Sequence, residues 1–207
     1  MADDHGLAVT QLTVRGPAGE NESQDDFFCR HLELCADLRC RLLKVIKWEP
    51  DWLKRAAKKA QSAGVTIACN NHINAPLESV EGTRRILAAA SHPGFGLLYD
   101  CLHLALKGED YLACIPEFMP ATKNILVHSA RPASAGEDSF YAGEGRKWAQ
   151  ALPAEPGAQN WREVFKRFKQ CGYNGPITIF ENGWPVSRRA EIARTAAEFI
   201  RSVWAEA

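Results

Sequence analysis

Four residues of this chain stand where they could share one chemistry: Asn70, Asp100, His128 and Glu181. Each closes an apolar run rich in β-branched or bulky residues: GVTIACN at 64–70, FGLLYD at 95–100, KNILVH at 123–128 and GPITIFE at 175–181. Two carboxylates, one imidazole and one amide oxygen make a donor set for a divalent cation, Mn²⁺ first, with Mg²⁺, Co²⁺ or Zn²⁺ also compatible. Each residue also has a plainer reading. Asn70 belongs to an Asn-Asn pair suited to a turn, Asp100 can cap a following helix, His128 can be a hydrogen-bonded strand end, and Glu181 a helix-cap partner. Recurrence of one construction four times favours the shared metal.

Such residues converge only if the runs are strands of one sheet. A short apolar run ending in a polar residue is how a buried parallel strand delivers a functional group to the sheet's C-terminal edge. Further strands are expected at 6–14 (GLAVTQLTV) and 42–47 (LLKVIK). Between them, Phe27, Phe28, His31, Leu32 and Cys35 recur at helical spacing within 25–38, and Leu53, Ala56, Ala57 and Ala60 form one face of a helix that Asp51 opens and Gly64 closes. Helices are also expected at about 78–91, around 109–118 with breaks at Pro116 and Pro120, from Trp161 to Gly172, and after Ser187 as cap. Residues 129–160 read as one long irregular stretch, the length at which loops are commonly lids.

Six strand-then-helix units in unbroken alternation imply α/β class, a parallel sheet with helices outside it, over a single domain spanning 1–207. No GxGxxG or GxxxxGK[ST] follows a strand, which weakens the nucleotide-binding sheets. Functional residues at several strand ends favour a (β/α) barrel. Composition excludes other classes. Lys plus Arg and Asp plus Glu both number 25, so bulk charge favours neither nucleic acid nor an anionic membrane. No apolar run is of membrane-spanning length, and the acidic start MADDHG has no signal-peptide character. Seven cysteines without a CxxC pair fit a reducing cytoplasm better than a disulfide framework.

The ordered set Asn70-Asn71-His72, Asp100-Cys101-Leu102-His103, His128, Trp161, Gly172-Tyr173-Asn174-Gly175 and Glu181 resembles the sugar phosphate isomerase/epimerase family, the xylose-isomerase-like and endonuclease-IV-like TIM barrels. The resemblance runs from about residue 6 to the C-terminus. It implies that Asn70, Asp100, His128 and Glu181 are the metal positions, and that His72 and His103 face the substrate. This chain departs from the family in carrying Asn70 where a Glu is frequent, Ser129-Ala130-Arg131 after His128 where an acidic pair is frequent, and six strands rather than eight. The six correspond to strands three to eight, an incomplete barrel whose open edges a partner copy is expected to cover.

The resemblance implies a metal-dependent isomerase, epimerase or lyase of a small sugar or keto-sugar, working through an enediolate-type intermediate. Glu181 would be the base and His103 would orient a substrate hydroxyl. An amide at Asn70 cannot cycle a proton, so a two-glutamate epimerisation is not available to this chain. A non-catalytic sugar- or metal-binding relative is the alternative; endonuclease-IV-like hydrolysis fits less well, with a neutral chain and two of six histidines, His5 and His31, away from strand ends. Cys101 reads as core rather than nucleophile, Trp148 and Trp161 as pocket wall or buried anchor, and Arg188-Arg189 as a solvated face.

Overall fold

The structure is a computed structural model that describes residues 3–14, 22–180 and 184–207. Two compact units divide the chain: residues 1–70 with 84–98, and residues 71–83 with 99–207.

In the first unit, β1 (Leu12–Thr13) lies parallel to β2 (Leu42–Lys44), β2 to β3 (Thr66–Asn70), and β3 to β4 (Phe95–Tyr99). The register pairs Lys44 with Ala68 and Asn70 with Leu98. Helix α1 (Gln24–Asp37) joins β1 to β2. Ser23 caps it by accepting from the Asp26 N–H, and Phe27, Phe28, Leu32 and Cys35 form its buried stripe while His31 is half-buried. Helix α2 (Pro50–Ser62) buries Leu53, Ala56, Ala57 and Ala60 as the spacing requires. Its cap is Glu49, two residues before Asp51, because Pro50 occupies the first turn, where no N–H is needed. Gly64, at φ +70, ends it. Helix α3 (Val80–Ala89) leads to β4. The strand at 6–14 is ladder-paired only at Leu12 and Thr13, and β2 ends at Lys44, short of the expected 47.

The second unit carries the parallel pair β5 (Thr122–Val127) and, late in the chain, the last parallel strand. After β4 the chain turns at once into α4 (Cys101–Leu106), a helix not expected from the sequence, and then α5 (Ile115–Phe118), shorter than the expected 109–118 because Pro116 opens it. Residues 129–160 are not irregular throughout. They build a three-stranded antiparallel sheet of β6 (Ala130–Pro132), β7 (Tyr141–Gly143) and β8 (Arg146–Gln150), with β8 central. Arg131 stiffens it with a two-pronged bond to Glu137 at 2.8 and 2.6 Å, which holds that carboxyl down at about 2.

Helix α6 (Trp161–Gln170) follows, capped by Asn160, whose side chain accepts from the Glu163 N–H, and ended by Gly172 at φ +81. Its buried Trp161, Val164, Phe165 and Phe168 match the expected stripe. β9 (Ile177–Ile179) pairs with β5. The last helix, α7 (Arg189–Glu206), is not capped by Ser187. A 3-10 turn over Val186–Arg188 takes Ser187 instead, leaving Arg188 as the cap residue. Ile192, Ala196, Ile200 and Val203 are buried; Phe199 is half-buried.

Six parallel strands separated by helices give the incomplete (β/α) barrel that the alternation implies. Among the described residues, no helix is long and apolar enough to cross a membrane.

All seven cysteines are free thiols; five are buried, and Cys29 and Cys171 are half-buried. Cys101 sits wholly inside, where burial and then the charge of Asp100 push its thiol well above the usual value, the setting of a core residue. Titration of the native protein with Ellman's reagent should release about two equivalents quickly and the other five only after guanidinium is added. Rapid release of more than two would contradict this packing.

Candidate metal centre

The centre is built on the turn from β4 into α4. Asp100 is the N-cap residue of α4, extended at φ −121 and ψ 91, yet its carboxylate makes no capping bond. The plain reading of Asp100 as a cap therefore holds for its position and fails for its side chain. His103 is three residues on, so one helical turn brings both side chains to the same side. His103 Nε2 lies 3.5 Å from Asp100 Oδ2. This spacing is the physical content of the Asp-x-x-His motif.

His128 arrives from β5. Its ring is edge-on to that of His103, with centroids 5.8 Å apart at 70°, and edge-on to Phe180 at 5.5 Å and 82°. Asp100, His103 and His128 are all buried, and each brings a ligating atom within 4.8 Å of the others. Asp100 and His128 offer a carboxylate and an imidazole, donors that fit a divalent ion of intermediate softness, with His103 beside them.

The backbone decides how the imidazoles can act. The Ile73 N–H donates to His103 Nδ1 at 3.4 Å. A neutral ring accepting at Nδ1 carries its proton on Nε2, the nitrogen that faces Asp100. The Ile73 carbonyl in turn lies 2.6 Å from His72 Nδ1. His72 is exposed and stacks on His103, with centroids 4.1 Å apart at 32°. One residue thus orients both rings expected to face substrate.

Two further side chains were not identified as functional from the sequence. Asn71 is wholly buried, and its Oδ1 accepts from the Asp100 N–H at 3.4 Å. Its Nδ2 donates to Thr83 Oγ1 at 2.7 Å and to the Leu77 carbonyl at 3.3 Å. The second Asn of the pair therefore ties the 71–83 loop to the turn that carries the carboxylate. Gln159, also buried, clamps Ala130 from both sides: its Oε1 accepts from the Ala130 N–H at 3.0 Å and its Nε2 donates to the Ala130 carbonyl at 3.2 Å. Trp161 Nε1 donates to Ser129 Oγ at 2.9 Å. These bonds fix the chain on the two residues after His128. Sequence offered no signal for Gln159; Asn71 had one, the Asn-Asn pair itself, without showing which member turns inward.

Trp161 is 1 % exposed and is a buried anchor. Trp148 packs with Leu102, Leu106 and Ala130, against Ile73 and Tyr141, so it too belongs to core rather than to an open wall. Arg188 lies over the Trp184 ring and beside Glu191, and Arg189 donates to the Trp184 carbonyl; both are exposed, as a solvated face would be. Asn70 is buried at the end of β3, in the first unit. Glu181 lies outside the described residues.

The chain is similar to several known proteins. The chain is 24% identical over 132 residues to an inosose dehydratase of Lacticaseibacillus casei, covering 61% of this chain and 44% of that protein. It spans about half the length of the curated relatives it matches. Among solved structures, the probable 3-DHS dehydratase AsbF involved in petrobactin synthesis from Bacillus anthracis superposes with a TM-score of 0.73 at 12% identity, over 96% of this chain and 78% of that one. The IOLI protein with a binding zinc atom superposes at 0.72 and 15% identity, over 99% and 80%. At such identities the superpositions establish the fold. The description "Xylose isomerase-like TIM barrel" matches residues 1–203, nearly the whole chain, and this chain belongs to that family.

Proposed function

We propose that the protein is a metal-dependent enzyme that removes a proton beside the carbonyl of a small keto-sugar, with loss of water as the favoured outcome. The observation that carries this reading is the buried convergence of Asp100, His103 and His128. Asp100 and His128 would hold the ion, and the family resemblance adds Asn70 and Glu181 as further ligands; Mn²⁺ is the ion proposed. When bound, such an ion polarises a carbonyl and a neighbouring hydroxyl.

The chain's own residues supply the rest. His103, its proton held on Nε2, donates to a substrate hydroxyl and fixes which carbon faces the base. Glu181 accepts the C–H proton. Because Asn70 cannot move a proton, no second carboxylate stands at that strand end to reprotonate the opposite face. Glu181 then returns its proton to the departing hydroxide, so one carboxylate serves both halves of a dehydration and atoms balance as unsaturated ketone plus water. The inosose dehydratase relatives favour elimination over epimerisation. Asn70 is also the observation that favours the second reading, a sugar- or metal-binding relative without turnover.

The reading is tested by proton NMR in deuterated water with Mn²⁺- or Zn²⁺-loaded protein and a panel of 2-keto-inositol, D-fructose and D-tagatose. Exchange of the hydrogen next to the carbonyl, or formation of the unsaturated ketone, is expected with at least one member and should vanish in Glu181→Gln. No exchange across the panel by metal-loaded protein would favour the binding reading.

We further propose that the active form is a dimer or larger homo-oligomer. Among the described residues β1 has a sheet neighbour on one side only, and Leu7 and Ile46 are more than half exposed. Light scattering at micromolar concentration should give at least twice the 22.9 kDa chain mass; a monomer contradicts it.

A further inference from the structure

Helix α1 ends in a turn that places two cysteines side by side. The Cys40 N–H donates to the Cys35 carbonyl at 2.8 Å, and the Arg39 N–H to the Ala36 carbonyl at 3.0 Å. Nested bonds of this kind close a helix when the next-to-last residue of the turn is left-handed, and Arg39 is that residue, at φ +53. Helices α2 and α6 end the same way, with Gly64 and Gly172 in the left-handed place. In this motif the first and last residues of the turn bring their side chains together. At the end of α6 they are Phe168 and Tyr173, whose ring centroids are 5.3 Å apart. At the end of α2 they are Ala60 and Val65, both buried. At the end of α1 they are Cys35 and Cys40.

Bond lengths turn the 2.8 Å contact into a limit on reach. They cap the separation of the two Cα atoms at roughly 6.7 Å, inside the ~4.4–6.8 Å that a disulfide spans without backbone movement. The thiols also interact: Cys40 Sγ donates to the Leu42 carbonyl at 3.3 Å, and Cys35 is hydrogen-bonded to Cys40. Burial first, then the charge of Cys40 and that hydrogen bond, push the Cys35 thiol up to about 12. Both side chains are buried, at 0% and 2% exposure, under a thin cover. Residues 36–39 and Arg41 are exposed, so Cys40 lies between two exposed neighbours at a helix end, where local opening costs least. An apolar contact alone needs no sulfur here, as Ala60 and Val65 show at the end of α2.

We propose that Cys35 and Cys40 are a dithiol modification site, closed to a reversible disulfide by a peroxide. Cys40, with exposed residues on both sides, attacks the O–O bond, and its proton leaves with the departing hydroxide as water. Cys40 is then a sulfenic acid. The Cys35 sulfur attacks that sulfur, the S–OH bond breaks, and the hydroxide leaves with the Cys35 proton as a second water. Two thiols lose two electrons and two protons to one hydrogen peroxide, which becomes two waters.

The test treats the folded, reduced full chain with a few equivalents of hydrogen peroxide, then catalase, alkylates it in guanidinium and digests it with trypsin. Cleavage after Arg30, Arg39 and Arg41 leaves Cys35 on peptide 31–39 and Cys40 on peptide 40–41. Mass spectrometry should find the two joined, lighter than their sum by two hydrogens, and separated by dithiothreitol. The linked chain should melt roughly 4–8 °C higher, the scale for closing the short loop 35–40 in a chain of this size, and Cys40→Ala should show no such rise. Separate alkylation of Cys35 and Cys40 after treatment, linkage of either to another cysteine, or sulfinic acid at Cys40 without a link would overturn the proposal. A melting temperature lowered by the link would do so too, since the turn would then not be set for it. The wild-type peptide map decides even if Cys40→Ala fails to fold.

Discussion

Asp100→Ala is expected to abolish the rise in melting temperature that a divalent ion gives the wild-type protein, while leaving the metal-free protein folded. Asp100 is the fully buried carboxylate of the cluster, and it caps α4 by position without a side-chain bond, so its removal breaks no capping interaction. A ligand that binds only the folded state adds about 2.7 kcal/mol at 100 times its Kd. In a chain of this size that is a rise of roughly 5–10 °C. Loss of the only described carboxylate ligand should reduce affinity by well over the 10- to 100-fold typical of outer-sphere changes, and so erase the shift. The metal-free variant should melt within a few degrees of the wild-type temperature, because removal of an enclosed negative charge offsets loss of its contact with His103. Differential scanning fluorimetry with and without Mn²⁺ or Zn²⁺ reads both quantities. A wild-type-sized shift in the variant would place the ion elsewhere.

Asn71→Leu is the second large effect. Leucine keeps the branched heavy-atom skeleton of asparagine with bulkier methyl ends, and it deletes an acceptor for the Asp100 N–H and a donor to the Leu77 carbonyl and Thr83 hydroxyl. Thr83 keeps its own bonds to the Leu77 and Ser79 carbonyls, so the loss concentrates on Asp100 N–H and part of Leu77. Each buried group left unsatisfied costs ~1–3 kcal/mol, giving a loss of about 2–5 kcal/mol. The consequence specific to this account lies beyond stability. Freed from its tie, the turn carrying Asp100 should lose about 10- to 100-fold in metal affinity, measured at a temperature where the variant is fully folded. Equal stability loss with unchanged metal affinity would make Asn71 a structural residue only.

These two residues also mark what the sequence made legible. The parallel strands and their helices followed from hydrophobic period and from stop signals such as Gly64 and Gly172, both at positive φ. The strand-end positions of Asn70, Asp100 and His128 were readable because each closes an apolar run. Helix α4 was not readable. CLHLAL is six residues long and almost continuously apolar, too short for a period to separate helix from strand, and only packing against Trp148 and Ala130 gives Leu102 and Leu106 their side. The antiparallel sheet within 129–160 was hidden for the opposite reason. Its strands of three, three and five residues carry Gly, Pro and charge, and they are held by cross-strand bonds and the Arg131–Glu137 pair rather than by an apolar pattern. Asn71 and Gln159 act through backbone atoms of residues distant in sequence, which no local pattern encodes.

The central claim, that Asp100 and His128 hold a metal ion beside His103, is tested most directly by elemental analysis. Protein is stripped with chelator, reconstituted in turn with Mn²⁺, Zn²⁺ and Co²⁺, desalted, and assayed for bound ion per chain by mass spectrometry. The account predicts about one equivalent of at least one of these ions in wild type, and a value near zero in His128→Ala prepared in parallel. Less than a tenth of an equivalent for all three ions in folded wild-type protein, or an equal stoichiometry in His128→Ala, would contradict it.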